Sequence, residues 1–170
     1  PLHVIHAFSE LLLEEGDVLD AYLMEMVTVM RDSSAFMTRL VNDLLDVAKI
    51  ESGELHLERE KVDLVELVER SVHLNRVLAG RKNIALEFQP ISLPKLHLDP
   101  NKIAQVFNNL LSNAIKFSYP GSEVQVTLEE SGGQAVVSVA DEGQGIPEED
   151  FEKLFKPYAK ASVRSTDGEE

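Results

Sequence analysis

Two short stretches carry residue types that could do chemistry. In the first, Asn109, Asn113 and Lys116 recur at helical spacing and, at ~100° per residue, fall within an arc of about 60°. An amide oxygen is a neutral, hard ligand suited to magnesium, and a lysine ammonium is a point charge suited to a phosphate oxygen. The same three residues could equally be a solvated helix face. In the second stretch, Asp141-Glu142-Gly143-Gln144-Gly145-Ile146, two glycines allow a tight turn and close approach of backbone to a ligand. A carboxylate at a strand end can accept a hydrogen bond from an exocyclic amine such as that of adenine. Asp and Gly also dominate ordinary turns, so neither stretch decides the matter alone. The five histidines, His3, His6, His56, His73 and His97, show no metal-ligand spacing.

These residues need elements to hold them. Asp99-Pro100 is an N-cap followed by proline at the first helical position, which predicts a helix over 100–117. Its expected buried side is Ile103, Val106, Phe107, Leu110 and Ala114. Strands are expected at 123–128 and 135–140, joined by a turn at 131–133, which sets Asp141 directly after a strand. Upstream, 55–57, 61–62, 84–88 and 95–98 read as strands, and Asp63 caps a helix that ends near Gly80. A helical piece is expected around 148–155. Residues 54–170 therefore read as an α/β sandwich, a mixed sheet with helices on one face.

Residues 1–53 have a different texture. Leu2, Ile5, Phe8 and Leu12 follow at helical spacing until Glu14-Glu15-Gly16-Asp17 supplies a stop and turn. Leu19, Leu23, Met26, Met30, Met37, Leu40, Leu44 and Val47 then alternate three and four apart, with Ser33 the polar intruder, a heptad seam. A helix over about 18–50 would be roughly 50 Å long. A hairpin of such helices exposes apolar surface unless it doubles, so a homodimeric four-helix bundle is expected. An amphipathic helix laid on a membrane or a partner is the competing account. Glu51-Ser52-Gly53-Glu54 ends the helix, with Gly53 as C-cap.

Composition narrows the partners. The 170 residues carry 30 acidic and 16 basic side chains, a net charge of −14. That disfavours nucleic acid or anionic membrane as the main partner, and any polyanionic ligand must be held by local donors and a metal ion. The lack of Cys excludes disulfides and thiol chemistry; it fits a reducing cytoplasm and is harmless elsewhere. No apolar run approaches the ~20 residues of a membrane span, so no direct membrane insertion by this segment is expected, although the parent protein could be membrane-anchored.

The motifs, taken together, resemble those of sensor histidine kinases. Asn109-Leu110-Leu111-Ser112-Asn113-Ala114-Ile115-Lys116-Phe117-Ser118 is similar to their asparagine box. Asp141-Glu142-Gly143-Gln144-Gly145-Ile146-Pro147 resembles the first glycine box, and Leu154-Phe155-Lys156-Pro157-Tyr158 the phenylalanine box. Leu44 to Gly53 resembles the end of the second dimerisation helix, and Pro1-Leu2 with Phe8-Ser9-Glu10-Leu11-Leu12 the stretch after the phosphorylated histidine. The resemblance implies ATP and Mg2+ as cofactors. Asp141 would read the adenine amine, with Phe117 near the base. Asn113 would bind magnesium, helped by Asn109, while Lys116 would meet the phosphates and Lys160 would reach the terminal one. Gly143 and Gly145 would let the lid after Ile146 move, and Phe155 and Tyr158 would pack the lid or touch ligand. The implied partners are a second copy and a response-regulator receiver domain.

Related ATPases of the Hsp90 and gyrase type place a glutamate where Asn109 stands. An amide is no useful base at neutral pH, which counts against the alternative of a GHKL-type ATPase or serine/threonine kinase, as does the hairpin. A non-catalytic dimeric ATP-binding scaffold is the other alternative. Two departures bear on it. The family's acceptor histidine sits four residues before the proline that is here Pro1, and a second glycine box follows the position of Glu170. Both are expected outside this sequence, so the piece alone should not autophosphorylate.

Overall fold

The computed structural model describes residues 2–14, 20–154, 156, 162–163 and 165–166. It divides into two compact units, Pro1–His56 and Leu57–Glu170.

The first unit is a helical hairpin of α1 (Leu2–Glu14) and α2 (Ala21–Glu51), which pack together. Asp20 caps α2 by accepting the Leu23 N–H at 2.8 Å, so α2 begins at Ala21, later than the expected 18. The expected stop-and-turn residues Glu15, Gly16 and Asp17, with Val18 and Leu19, lie outside the described residues. α2 ends in a Schellman arrangement: the Glu54 N–H donates to Lys49 O at 2.9 Å and the Gly53 N–H to Ile50 O at 3.1 Å, with Gly53 at φ 71°. Inside the hairpin Ser9, Val27 and Ser34 are buried. The two hydroxyls donate to carbonyls of their own helices, Ile5 and Arg31, so these small side chains leave no unpaired polar group behind. The second half of α2 lacks cover: Phe36, Met37, Leu40, Val41, Leu44 and Leu45 are between 45% and 53% exposed.

The second unit runs β1 (Glu60–Val62), α3 (Leu64–Arg81), β2 (Ala85–Phe88), β3 (Leu96–Leu98), α4 (Pro100–Phe117), β4 (Glu123–Ser131) and β5 (Gln134–Asp141), then a short 3-10 helix, Glu148–Lys153. The main sheet has the order β2-β4-β5, parallel between β2 and β4 and antiparallel between β4 and β5; β1 and β3 form a separate antiparallel pair. The β4–β5 hairpin closes through Gly132 and Gly133, at φ 60° and 77°, opposite Ser131 and Gln134. A two-residue loop with both φ positive matches the twist of the flanking strands. Alternation along β4 sends Val124, Val126 and Leu128 inward, where they meet Leu86 of β2, Leu64, Val68 and Val72 of α3, and Phe107, Leu111, Ala114 and Ile115 of α4. Both long helices thus cover one face of a mixed sheet.

Several expectations are corrected. Residues 55–57 form no strand; the backbone entering the unit is instead tied by the Glu58 N–H to Asp99 Oδ2 at 2.9 Å. α3 passes through Gly80 to Arg81, and the left-handed residue after it is Asn83. The helical piece expected around 148–155 does form, as a 3-10 helix over Glu148–Lys153. α4 is rotated from its expected buried side: Leu111 and Ile115 are in the core, whereas Val106 and Leu110 are exposed. No described helix is long and apolar enough to cross a membrane.

The rotation of α4 is directly testable. Leu111 is 1% exposed and Leu110 is 46% exposed. Leu111→Ala should therefore cost about 2–5 kcal/mol by urea unfolding, while Leu110→Ala should stay within about 0.5 kcal/mol.

Candidate functional site

Helix α4 begins rigidly. Asp99 Oδ1 accepts the N–H groups of Asn101 and Lys102 at 3.0 and 3.1 Å, and its other oxygen holds Glu58. These backbone donors, that of Lys102 foremost, hold the Asp99 carboxyl below its ordinary pKa against the opposing effect of burial. With its core face sunk against α3 and β4, α4 turns Leu110, Asn113 and Phe117 toward the end of β5 and the turn beyond it. There they bound a cavity of about 390 Å³ together with Ala114, Val139, Asp141, Gly145, Ile146, Leu154 and Val163. Its walls are apolar apart from the Asn113 amide and the Asp141 carboxylate.

The turn after β5 is held against the end of α4. The Gly143 N–H donates to Asp141 Oδ1 at 2.9 Å, which pins the carboxylate by one oxygen. Gly143 also bridges to Ser118 in antiparallel fashion. A Cβ on Gly143 would lie 2.5 Å from the Phe117 carbonyl oxygen and 2.8 Å from Asp141 Oδ1, so only glycine allows this approach. The sequence motif therefore has a structural reason of its own, which is to bring Asp141 across to α4.

The expected site residues separate into groups. Asn113, Phe117, Asp141, Gly145 and Ile146 come together on the cavity wall, and Gly143 supports it from behind. Asn109 and Lys116 are exposed and do not line it; the Lys116 ammonium stands 5.6 Å from the centroid of the Phe117 ring, within cation–π range. Tyr158 and Lys160, with Phe155, lie outside the described residues. The sequence reading missed Leu110, Val139, Leu154 and Val163 as wall residues. Apolar side chains of this kind are indistinguishable from core in a sequence, and only position shows that they border a hollow.

Near the cavity's edge Asp150 is almost fully buried and fully engaged. It accepts from Lys153 Nζ at 2.8 Å, from the Ser162 N–H at 2.7 Å and from Ser162 Oγ at 2.6 Å. Lys153, then Ser162, holds its carboxyl far below the usual carboxylate range, and Asp150 raises the Lys153 ammonium in return. The clasp joins the 3-10 turn to residue 162, next to the wall residue Val163.

The second unit is thus an α/β sandwich with a cavity between a helix and a strand end. Residues 98–170 match the family described as histidine kinase-, DNA gyrase B-, and HSP90-like ATPase, and residues 1–53 match the His Kinase A (phospho-acceptor) domain. The chain belongs to the sensor histidine kinases. It is similar to the cell-division control histidine kinase PdhS of Brucella canis, 36% identical over 168 residues that make up 96% of this chain and 16% of that protein. The chain thus spans about a sixth of the length of this curated relative. Among solved structures it resembles full-length ShkA in complex with AMPPNP (26% identity, TM-score 0.72, covering 92% of this chain and 34% of that one). It also resembles a mycobacterial sensor histidine kinase, MprB (31% identity, TM-score 0.53, covering 64% and 71%).

The Asp150 clasp predicts a pH dependence. A carboxyl whose folded pKa is depressed stabilises the fold above its unfolded pKa of about 4 and loses that contribution as pH falls from there. Asp150→Asn should lower the melting temperature at pH 7, and the gap to the parent should narrow as the pH is taken below about 4 in thermal scans.

Proposed function

We propose that this chain is the core of a two-component kinase. It would bind Mg-ATP in the cavity between α4 and β5 and present the γ-phosphate to a histidine upstream of Pro1, from which the phosphate passes to an aspartate of a receiver domain. The observation that carries the reading is the pairing of Asp141 with Asn113 across an apolar hollow of about 390 Å³. Gly143 occupies one oxygen of Asp141; the other would accept from an exocyclic amine, while Leu110, Val139, Ile146 and Phe117 would supply apolar surface to a purine. The full-length ShkA structure holds AMPPNP, which supports ATP as the ligand class.

The donor set also fits the metal. Magnesium keeps several waters and takes few protein ligands beside phosphate oxygens; the Asn113 amide can be one such ligand, with Asn109, one turn earlier on α4, reaching it through water. When bound, magnesium neutralises charge on the phosphate oxygens. Lys116 at the mouth supplies a second positive charge, and Lys160 a third by family resemblance. No carboxylate stands in the place of Asn109 to activate water, so the chain's own residues orient the nucleotide and leave the nucleophile to the histidine.

The acceptor unit is a dimer in this reading. Along the apolar stripe of α2, Leu23, Met26, Met30, Met37, Leu40 and Leu44 are 40–53% exposed, and a second hairpin would cover them in a four-helix bundle.

Three measurements check the proposal. A chain extended at both ends, given magnesium and γ-labelled ATP, should acquire acid-labile, base-stable label. Asn113→Ala should cut labelling on the order of 100-fold, and Asp141→Ala should weaken nucleotide binding roughly 10- to 100-fold. Binding without any label would favour a non-catalytic scaffold. Sedimentation at tens of micromolar should give twice the chain mass; a monomer would remove the bundle from the account.

A further inference from the structure

Lys82 caps the end of α3, away from the cavity wall, yet its ammonium reaches the last turn of α4. Nζ lies 2.9 Å from the carbonyl oxygen of Ile115, 3.1 Å from those of Lys116 and Ser118, and 2.7 Å from Thr166 Oγ1, four acceptors that share its three N–H donors. The Thr166 hydroxyl in turn lies 2.6 Å from the Ser118 carbonyl oxygen and 3.1 Å from that of Lys116. One cation and one hydroxyl thus share the carbonyl groups with which α4 ends.

The chemistry of a helix end explains the arrangement. The last carbonyls of a helix have no partners within it. In α4 the Ala114 carbonyl receives the Ser118 N–H, which leaves those of Ile115 and Lys116 to outside donors. A cation there also meets the negative end of the helix dipole. A lysine ammonium, with three donors on a flexible stem, can serve several oxygens that no planar guanidinium fork would match. The base of the side chain is fixed as well: the Lys82 N–H donates to Ala79 O at 3.1 Å, and the Lys82 carbonyl accepts from the Gly121 N–H at 3.1 Å.

What sits on this turn gives the contact its consequence. It carries Asn113 and Phe117 on the cavity wall, and the Phe117 carbonyl oxygen is the atom against which Gly143 packs without room for a Cβ. A shift of the turn by a few tenths of an ångström would displace the amide, the ring and the Asp141–Gly143 turn together. We infer that Lys82 is a positioning residue for nucleotide binding: its ammonium fixes the C-terminal turn of α4, and it holds Thr166 to the same carbonyls. The inference rests on the cavity being the nucleotide site.

The test uses the full kinase chain that carries this sequence, with ATP and magnesium. Lys82→Met keeps the stem and removes the donors; it should raise the KM for ATP about tenfold while kcat changes less than about twofold. Lys82→Arg should recover part of the loss. Thr166→Val, which leaves the Lys82–carbonyl contacts in place, should raise KM about threefold, and the double variant should fall short of the product of the two single effects because the residues act through one cluster. A fall in melting temperature with KM unaltered in both Lys82→Met and Thr166→Val would reduce Lys82 to a structural cap and overturn the inference. Multiplicative effects in the double variant would overturn the shared cluster. Failure of the site itself reads differently: Asp141→Ala would then leave ATP affinity unaltered, and the role assigned to Lys82 would fall with it.

Discussion

The rotation of α4 about its own axis is set by how deeply Leu111, Ala114 and Ile115 sink into the core, and the α4 wall of the cavity depends on it. A helix turn has 3.6 residues, so moving one more apolar position into the core would swing Asn113 out of the hollow and Leu110 into the protein. Close packing makes that choice discrete: interiors tolerate few voids and little overlap. The caps then fix the two ends. Asp99 holds the first turn to the incoming backbone at Glu58, and Lys82 holds the last turn to the end of α3. The site is the outward face of a helix whose inward face and both termini are already committed.

The two units meet their needs by different physics. The α/β unit encloses its own core, because two helices and an alternating sheet bury one face each. The hairpin cannot: two helices have only one mutual face, and on α2 the stripe runs well past the small residues Ser9 and Ser34 that seat α1 against it. The unfilled apolar surface of the first unit is thus a property of hairpin geometry, and association is its ordinary remedy.

Features written in local chemistry were legible in the sequence. Asp99-Pro100, the Gly132-Gly133 loop and the end of α2 at Gly53 each depend on residues within a few positions, and the structure has them where the spacing placed them. The buried side of α4 was not legible. Its apolar residues, Ile103, Val106, Phe107, Leu110, Leu111, Ala114 and Ile115, spread over about half its circumference, and the surrounding elements choose among them. The strand expected at 55–57 failed for a related reason: its alternation was present, but no ladder partner stands beside it. Nothing in the sequence singles out Lys82 or Asp150, because contacts of theirs reach 33 and 12 residues along the chain. Of the candidate site, the motif residues could be named in advance, whereas the hollow they border could not.

The pairing of β2 with β4 carries a temporal consequence. The β4–β5 hairpin can close on itself through its two-residue loop, but Ala85 reaches Glu123 only after β3 and α4 have been spanned. Such a closure costs chain entropy before any contact repays it. The cavity takes one wall from α4 and another from β5, so it exists only once these two elements are packed against each other. Until those two elements meet there is no hollow to occupy, whatever helix or hairpin has already formed.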